Sequence, residues 1–220
     1  MSTHKRDSHD RAGIVSTAVA ILDAYGLADL TMRRLARELD VTAGALYWHF
    51  ANKQELLGAV ADQLLAPALS TDDGDWRDRV TAIAGRLRDA LLSHTDGAEL
   101  VSASFAAGQS RVLAELLGQL GRAAGDAGVR EEHREAAART VVYYVLGFTV
   151  DEQSRLQWDA AGALGEPVWN PAADTGAAFG FGLGLLIDGL DRQGAQPIVV
   201  ERCERALAEP LGVQRADAGR

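Results

Sequence analysis

Hydrophobic residues recur at three- and four-residue spacings along almost the whole chain, and this pattern restricts the possible folds more than any other feature. Near the N-terminus, for example, the spacing is followed by Ile14, Ala18, Ile21, Leu22 and Tyr25. A 3.6-residue period is typical of amphipathic α-helices, whereas half-buried strands alternate every two residues. No convincing two-residue alternation occurs. The sequence therefore predicts an all-α fold.

Residues with strong capping preferences divide the first third of the chain into four helices. Gly26 predicts the end of the first helix, and Thr31 predicts the beginning of a short second one. Thr42 predicts the start of a third helix that runs to about Phe50. The segment "NKQE" (52–55) has the Asn-x-x-Glu spacing of a capping box and predicts the start of a fourth helix.

Pro67 and the polar stretch "STDDGD" (70–75) predict a boundary between two helical domains. We predict an N-terminal three-helix helix-turn-helix domain over 1–65, with an ordered core over about 11–65. A larger helical bundle is predicted over 66–220. Its helices are predicted over about 75–94, 97–105, 108–126, 131–158, 174–192 and 201–209, with a proline-broken loop over 167–174.

The negative charge is distributed unevenly between these two parts. The formal net charge is −9, but residues 1–65 carry seven Lys and Arg against eight Asp and Glu. Residues 66–220 carry fifteen basic and twenty-three acidic side chains. The C-terminal part is therefore a poor surface for a polyanion, while the nearly neutral N-terminal part remains open to one.

Several classes of site and location are disfavoured by the sequence. Cys203 is the single cysteine, which excludes an intrachain disulfide and a cysteine-based zinc site. The five histidines have no metal-ligand spacing, and we expect neither a metal nor a cofactor. The longest run of apolar residues and glycine (176–187) is shorter than the roughly 20 residues of a membrane helix. With a polar N-terminus, these features predict a cytoplasmic protein without membrane association.

We also find no catalytic motif. The glycines of "GFGLG" (180–184) lie within a predicted helix and follow no strand, so they do not indicate a nucleotide site. Serine and histidine occur without the context of a nucleophile elbow or a catalytic triad. We therefore expect no enzymatic activity.

The stretch "GALYWHF" (44–50) concentrates aromatic residues on one short helix. Helical spacing directs Leu46 and Phe50 inward, which leaves Gly44 and Trp48 on the opposite side with Tyr47 and His49 flanking them. The preceding helix in "TMRRLARELD" (31–40) meets this one across a very short connection, as in a helix-turn-helix. In that motif the second helix enters the major groove of DNA.

The outward residue types suit contact with DNA. Gly44 and Ala45 are small enough for close approach to the groove, and Arg33 is the best candidate for a bidentate contact to guanine. Phosphate oxygens can accept hydrogen bonds from the side chains of Tyr47, Trp48 and His49. Lys53 stands at a helix N-terminus, where its ammonium and the free N–H groups both favour a phosphate. The alternative is that the aromatic residues pack in a core or an interface, and for Trp48 both interpretations are open. The predicted DNA-binding residues are Thr31, Arg33, Thr42, Ala43, Gly44, Ala45, Tyr47, Trp48, His49 and Lys53.

The segment "LTMRRLARELDVTAGALYWHFANKQELL" (30–57) resembles the DNA-binding module of the tetracycline repressor (TetR) family, including Leu-Tyr-x-His-Phe at 46–50 and Asn-Lys at 52–53. Three later segments resemble the regulatory domain of the tetracycline repressors: "SHTDGAEL" (93–100), "VLGFTVDEQ" (145–153) and "FGFGLGLLIDGLDRQ" (179–193). Together with residues 11–65, the resemblance covers most of the chain.

The resemblance implies a repressor that binds a palindromic double-stranded operator as a homodimer and is released by a small molecule. It also implies that the bundle over 66–220 is a regulatory, ligand-binding and dimerisation domain. Within it, the helix over 131–158 and the last long helix form a four-helix bundle with the partner. Gly176, Gly180 and Gly184 recur every four residues and independently suit close helix approach, although frequent glycine use alone also explains them. The predicted interface residues are Val141, Val145, Phe179, Gly180, Leu183, Gly184 and Ile187.

The chain differs from the tetracycline repressors at residues that bind the effector in those proteins. Tetracyclines bind those proteins through a magnesium ion held partly by a histidine, and Val101 stands at that position here. Ile83 stands where a ligand-binding asparagine is found. Asp151 matches an acidic residue of the site, but one carboxylate is a poor magnesium site. We therefore expect an unidentified effector other than magnesium–tetracycline. Its predicted lining, in which every residue is also consistent with a core position, is Ile83, Leu87, Val101, Ser104, Phe105, Gln109, Tyr144, Phe148 and Asp151.

A second function remains open at this point. The chain is also consistent with a helical small-molecule-binding protein or enzyme that does not bind DNA. That alternative predicts a buried Trp48, whereas a DNA-binding regulator requires the outward face of its helix to be exposed.

Overall fold

A computed structural model of the chain describes residues 10–69, 74–162 and 175–195. Within these ranges the regular structure is helical and contains no strand, which confirms the predicted all-α fold. Short 3₁₀ turns occur at Leu27–Asp29 and Ala66–Ala68. The predicted loop over 167–174 and the predicted helix over 201–209 lie outside the described residues. The α-helices are α1 (Arg11–Tyr25), α2 (Met32–Glu38), α3 (Ala43–Tyr47), α4 (Lys53–Leu65), α5 (Trp76–Leu92), α6 (Gly97–Ala107), α7 (Arg111–Asp126), α8 (Glu131–Ala160) and α9 (Thr175–Ala195).

The capping residues expected from the sequence begin and end the first helices. The side-chain oxygens of Thr31, Thr42 and Asn52 each accept a hydrogen bond from the N–H three residues further on, which starts α2, α3 and α4. Gly26, at φ 79°, ends α1 in a conformation that favours glycine. The three N-terminal caps satisfy N–H groups that the helices themselves leave without partners, and the Gly26 N–H donates to the Leu22 carbonyl.

The third helix is shorter than predicted. It ends at Tyr47 rather than near Phe50, although the chain continues to turn. The N–H groups of Trp48 and His49 bond to the carbonyls of Ala45 and Leu46, three residues earlier, at 3.3 and 3.0 Å. This tightening into three-residue turns ends the α-helix but keeps the side chains of residues 48–50 near their predicted directions.

The helices α1 to α4 enclose a small apolar core. Leu22 of α1, Leu35 of α2 and Val60 of α4 are fully buried, and Leu46 and Phe50 meet them from the α3 segment with 1% of their surface exposed. Burying one such side chain contributes about 1.5–3 kcal/mol. The short helices α2 and α3 therefore depend on this core, since helices of five to seven residues are not stable alone.

In the C-terminal part, α8 lies centrally and contacts α5, α6, α7 and α9. A partly buried ion pair joins α5 to α8, with both Arg88–Glu152 nitrogen–oxygen distances below 3.0 Å. Helix α9 packs on α8 through the stacked rings of Tyr144 and Phe179, whose centroids are 5.4 Å apart. The Tyr144 hydroxyl also donates to the Phe179 carbonyl at 2.7 Å.

Helix α4 ends at residue 65, the predicted domain boundary, but its buried residues belong to the same apolar cluster as those of α5 and α6. The Asp62 carboxylate of α4 accepts from the hydroxyl of Ser110 and the N–H of Val112. A second junction joins Asp23 of α1 to Thr95, whose N–H and hydroxyl both donate to it. The division into domains 1–65 and 66–220 stays a prediction.

Candidate nucleic-acid interface and ligand groove

The α3 segment presents two large aromatic side chains to solvent. Trp48 is 91% exposed and Tyr47 is 52% exposed, whereas Leu46 and Phe50 beside them are buried. The indole of Trp48 therefore does not pack in the core of this chain. Gly44 is also exposed, and only the Thr42 side chain would lie within 4 Å of a β-carbon added to it. This leaves an open helix surface for a partner.

His49 and Ala45 are less accessible than the aromatic pair. Both are half-buried and line a small indentation with apolar residues of α1 and the α2–α3 connection, including Ile14 and Val41. The outward surface of α3 is therefore formed mainly by Gly44, Tyr47 and Trp48, together with Ala43 at its start.

Arg11 fixes the position of the α3–α4 connection. Its guanidinium donates to the carbonyl of His49, forms a 3.0 Å ion pair with Glu55, and lies over the Phe50 ring at 4.2 Å from the centroid. Glu55 also accepts from the N–H of Ala51 at 2.8 Å. Glu55, the capping-box glutamate, thus accepts from the N–H of Ala51, whereas the motif usually involves the N–H of the cap residue, here Asn52.

These bonds also set the ionisation of Glu55. The hydrogen bond from the Ala51 N–H, followed by that from Arg11, lowers the pKa of the Glu55 carboxyl below its ordinary value. The group is therefore ionised at neutral pH and remains an acceptor for both donors.

Two adjacent arginines on α2 have different environments. The Arg34 guanidinium stacks on the Tyr25 ring at 3.7 Å from the centroid and pairs with Asp29 at 2.6 Å. Arg33 is exposed and forms neither a hydrogen bond nor an ion pair with any residue that the structure describes. Of the two, Arg33 is the one whose guanidinium is available to an external partner.

The other predicted DNA-binding residues lie at helix starts. Thr31 and Thr42 are exposed caps whose oxygens accept from backbone N–H groups, so each hydroxyl hydrogen remains available for donation. Lys53 is the first residue of α4 and forms no ion pair within the described ranges. Its position places a cation beside the free N–H groups of a helix N-terminus, where anions bind favourably.

The residues predicted for the effector pocket lie in different surroundings. Ile83, Leu87, Val101 and Ser104 are buried in the core of the C-terminal part. Tyr144 and Phe148 pack against Phe179, Gln109 is exposed beyond the end of α6, and Asp151 is exposed and paired with Arg155 at 2.8 Å. Of the predicted set, Phe105 borders the groove described next. The assignment of the others to a pocket stays a prediction.

A groove of about 400 Å³ lies between α6 and α8. Its walls are largely apolar, with one charged side chain. The lining residues are Ser102, Phe105, Ala106, Arg139, Tyr143, Leu146 and Gly147. Sequence reasoning missed all of these except Phe105, because the groove exists only where two helices distant in sequence cross.

The residues predicted for the dimer interface fall into two groups. Val141, Val145, Phe179 and Leu183 are buried within the single chain, so they have almost no surface to offer a partner. Gly180, Gly184 and Ile187 keep exposed surface. The large exposed side chains of α9 are Phe181 and Leu185, which the glycine spacing did not identify.

Two further properties of the described residues bear on function. No group of three or more His, Cys, Asp or Glu side chains in these ranges is arranged to hold a metal ion. None of their helices is both long enough and apolar enough to cross a bilayer. Cys203 lies beyond the described part of the chain.

Two family models match the sequence. Residues 14–60 match the model of bacterial regulatory proteins of the tetR family, and residues 67–177 match the tetracyclin repressor-like C-terminal domain. The chain belongs to the TetR family. The resemblance stated from the motifs at 30–57 and in the C-terminal part is thereby confirmed.

Relatives and solved structures within the TetR family agree with this assignment. The class C tetracycline repressor of Escherichia coli is 32% identical over 203 residues, covering 83% of this chain and 90% of the relative. The crystal structure of Mycobacterium smegmatis BioQ is 64% identical, covering 84% of this chain and 99% of that chain, with a TM-score of 0.78. A structure of BioQ with its double-stranded DNA operator is 61% identical, covering 83% and 98%, with a TM-score of 0.73.

Proposed function

We propose that this TetR-family chain is a transcriptional repressor that binds a palindromic double-stranded DNA operator as a homodimer and is released by a small-molecule effector. The observation that carries the proposal is the exposed aromatic surface of α3 on a capped helix-turn-helix module. A similar protein, BioQ, has been crystallised with its double-stranded operator. Such a regulator acts in the bacterial cytoplasm, where it meets the chromosome.

In the proposed complex, α3 enters the major groove with Ala43, Gly44 and Ala45 closest to the base edges. Tyr47 and Trp48 donate to phosphates, which sets the position of the module on the duplex. Arg33 supplies the charged contact to a base, since its guanidinium has no partner within the described part of the chain. Two such modules in a dimer read half-sites about one or two helical turns apart.

The alternative of a small-molecule-binding protein or enzyme without DNA binding has less support. It requires Trp48 to form part of a pocket wall or core, whereas the indole is 91% exposed. The class C and class A tetracycline repressors of Escherichia coli, to which the chain is similar, are repressors by name. Repression by occupying an operator needs no catalytic residue, and we propose none.

Effector release requires a connection between the two parts of the chain, and α4 supplies one. A β-carbon added to Gly58 of α4 would lie 2.5 Å from the carbonyl oxygen of Gln109, which follows α6. This close contact means that a shift at the end of α6 displaces α4 and, with it, the DNA-binding module. An effector changes operator affinity only if it binds the two conformations differently, and couplings of about 1–3 kcal/mol are typical.

Operator binding is tested by selecting DNA fragments with the purified protein and measuring affinity for the selected site over a range of salt concentrations. We expect Lys53→Ala to reduce the salt slope by about one and to weaken binding to all sequences. Arg33→Ala should weaken the selected site more than a mismatched one, by about 1–3 kcal/mol at one base pair.

Arg122→Ala is the matched control, because Arg122 is an exposed cation on α7, away from the proposed interface, and it pairs with no carboxylate that the structure describes. It should leave both the affinity and the salt slope unchanged. If Lys53→Ala and Arg33→Ala behave like this control, the proposed DNA-binding surface is wrong.

A further inference from the structure

The groove between α6 and α8 has the size and wall chemistry of a small-molecule site. Its volume of about 400 Å³ lies within the range of ligand pockets, roughly 300–1,000 Å³. The groove is bordered by the ring of Phe105 from α6 and by the ring of Tyr143 from α8. The two ring centroids are 5.4 Å apart at an interplanar angle of 56°. Such a pair offers aromatic surface to a flat ligand.

A cation borders the same aromatic surface. The guanidinium carbon of Arg139 lies 5.3 Å from the centroid of the Phe105 ring. Its Nε donates to Glu135 at 2.9 Å. The Glu135 side chain is 75% exposed, so this ion pair is a weak surface pair that a buried ligand can outcompete. A guanidinium has five N–H donors, of which Glu135 engages the one on Nε, and a carboxylate is their best-matched acceptor.

Gly147 lines the groove without presenting a side chain to it. It lies within the 30-residue helix α8, where glycine costs about 0.5–1 kcal/mol relative to alanine. A β-carbon added at this position would meet no atom within 4 Å. Packing within the chain therefore does not require glycine here. A molecule that enters the groove, in contrast, gains access to the α8 backbone because no side chain stands in the way.

We propose that this groove is the effector site and that the effector is a small planar organic anion, an aromatic or conjugated carboxylate. Its aromatic part packs against Phe105 and Tyr143, its carboxylate meets Arg139, and its edge reaches Gly147. This inference rests on the proposed function, because it names the ligand class through which operator binding is regulated. The proposed site does not include Ile83 and Val101, because the side chains of both are buried in the core.

The test uses 2-naphthoate as the probe and 2-naphthalenemethanol, its neutral counterpart, measured by calorimetry on the full-length protein. We expect the anion to bind in the submillimolar range and the alcohol about tenfold more weakly, a difference of about 1.4 kcal/mol. Arg139→Gln should remove the preference for the anion while the alcohol still binds. Equal affinities of the wild-type chain for both probes, or no binding of naphthoate, would overturn the assignment.

Two substitutions test the location by filling the groove from opposite walls: Gly147→Leu on α8 and Ala106→Phe on α6. Both should abolish binding of both probes. Gly118→Leu is the matched control, because Gly118 is an exposed helical glycine on α7. It should bind both probes like the wild type. If Ala106→Phe retains naphthoate while Gly147→Leu loses it and changes the sedimentation mass, a second copy of the chain covers this face and the proposal fails.

Operator affinity without any probe is measured on the same samples and separates this inference from the function on which it rests. If the wild-type chain binds no operator but binds naphthoate in the groove, the repressor proposal fails and the ligand site stands. If it binds an operator but no variant of the groove alters naphthoate binding, the groove proposal fails alone.

Discussion

At the scale of single residues, Trp48 and Phe50 show how two aromatic side chains two positions apart acquire different roles. Two helical residues are separated by about 200° around the axis, so one side chain points out when the other points in. Trp48 is 91% exposed and Phe50 is 1% exposed. The first is available for a partner, and the second holds the helix-turn-helix module together.

This difference predicts opposite effects on stability and on DNA binding. Trp48→Ala should change the free energy of unfolding by no more than about 0.5 kcal/mol, because the indole contacts little of the chain. Phe50→Ala should cost about 3–5 kcal/mol by leaving a cavity. Urea denaturation checks both. Operator affinity should fall for Trp48→Ala, while Trp158→Ala, which alters an exposed tryptophan on α8, should leave it unchanged. A large loss of stability in Trp48→Ala would contradict the exposed position.

The hydrogen bonds of Glu55 at the α3–α4 connection predict that the free energy of unfolding depends on pH. The pKa of its carboxyl is lowered in the folded state by the hydrogen bonds from Ala51 and Arg11. A carboxyl whose pKa is lowered by folding stabilises the protein at pH values above its pKa in the unfolded chain. This contribution is lost as the pH falls through the pKa of the folded state. The free energy of unfolding should therefore decline on acidification below the ordinary value of 4.5.

The matched variant is Glu55→Gln, which keeps an oxygen acceptor but cannot titrate. Its free energy of unfolding should be lower than that of the wild type at neutral pH, and the difference should shrink as the pH falls. Denaturation measured at a series of pH values checks this. A difference between the two proteins that does not change with pH would show that Glu55 titrates identically in both states.

At the scale of helices, Gly58 is the contact through which α4 meets the segment that follows α6. An alanine in an exposed helix interior stabilises a protein by up to about 1 kcal/mol over glycine. At Gly58 the added methyl group would lie 2.5 Å from the Gln109 carbonyl, so backbone must shift. We expect Gly58→Ala to destabilise the fold and to change operator affinity, because α4 carries the DNA-binding module.

Gly85→Ala is the control, since a β-carbon at Gly85 in α5 meets no atom within 4 Å. It should stabilise the protein by about 0.5–1 kcal/mol and leave operator binding unchanged. Thermal denaturation and operator titration of both variants decide the matter. If Gly58→Ala stabilises the protein as much as Gly85→Ala does, α4 is not held against the α6–α7 connection.

The helices themselves were largely predictable, because their determinants are local. Thr31, Thr42 and Asn52 begin helices through bonds that span three residues, and short apolar repeats set the buried face. Long-range contacts were not predictable in this way. Arg11 reaches His49 and Glu55 across about forty positions, and no local pattern indicates that pairing.

The effector site shows the same limit more strongly. A resemblance to relatives transfers positions along the chain, but it does not show what the side chains at those positions fill. Val101 and Ile83 replace the polar residues expected from the relatives and close into the core. The groove bordered by Phe105 and Arg139 depends on the crossing of α6 and α8, which neither periodicity nor the resemblance specifies.

At the scale of the whole molecule, α9 carries apolar side chains that are exposed to water in a monomer. Phe181 is 72% exposed, and Leu185, one helical turn further on, is also largely exposed. Gly184 between them carries no side chain, which permits close approach of another helix. Exposed apolar surface of this kind marks an interaction site, and a second copy of the chain is the partner that the TetR family assignment favours.

Phe181→Glu therefore tests the proposed homodimer. A carboxylate at the centre of an apolar interface loses its hydration without gaining a partner, so the variant should sediment as a monomer at concentrations where the wild type is a dimer. The fold should keep its stability, because Phe181 contributes little to the core of its own chain. Operator affinity should fall steeply, since two linked modules bind two half-sites far more tightly than separate ones. Thr81→Glu places the same charge on an exposed position of α5 and should remain dimeric. A dimeric Phe181→Glu with unchanged operator affinity would place the interface elsewhere on the molecule.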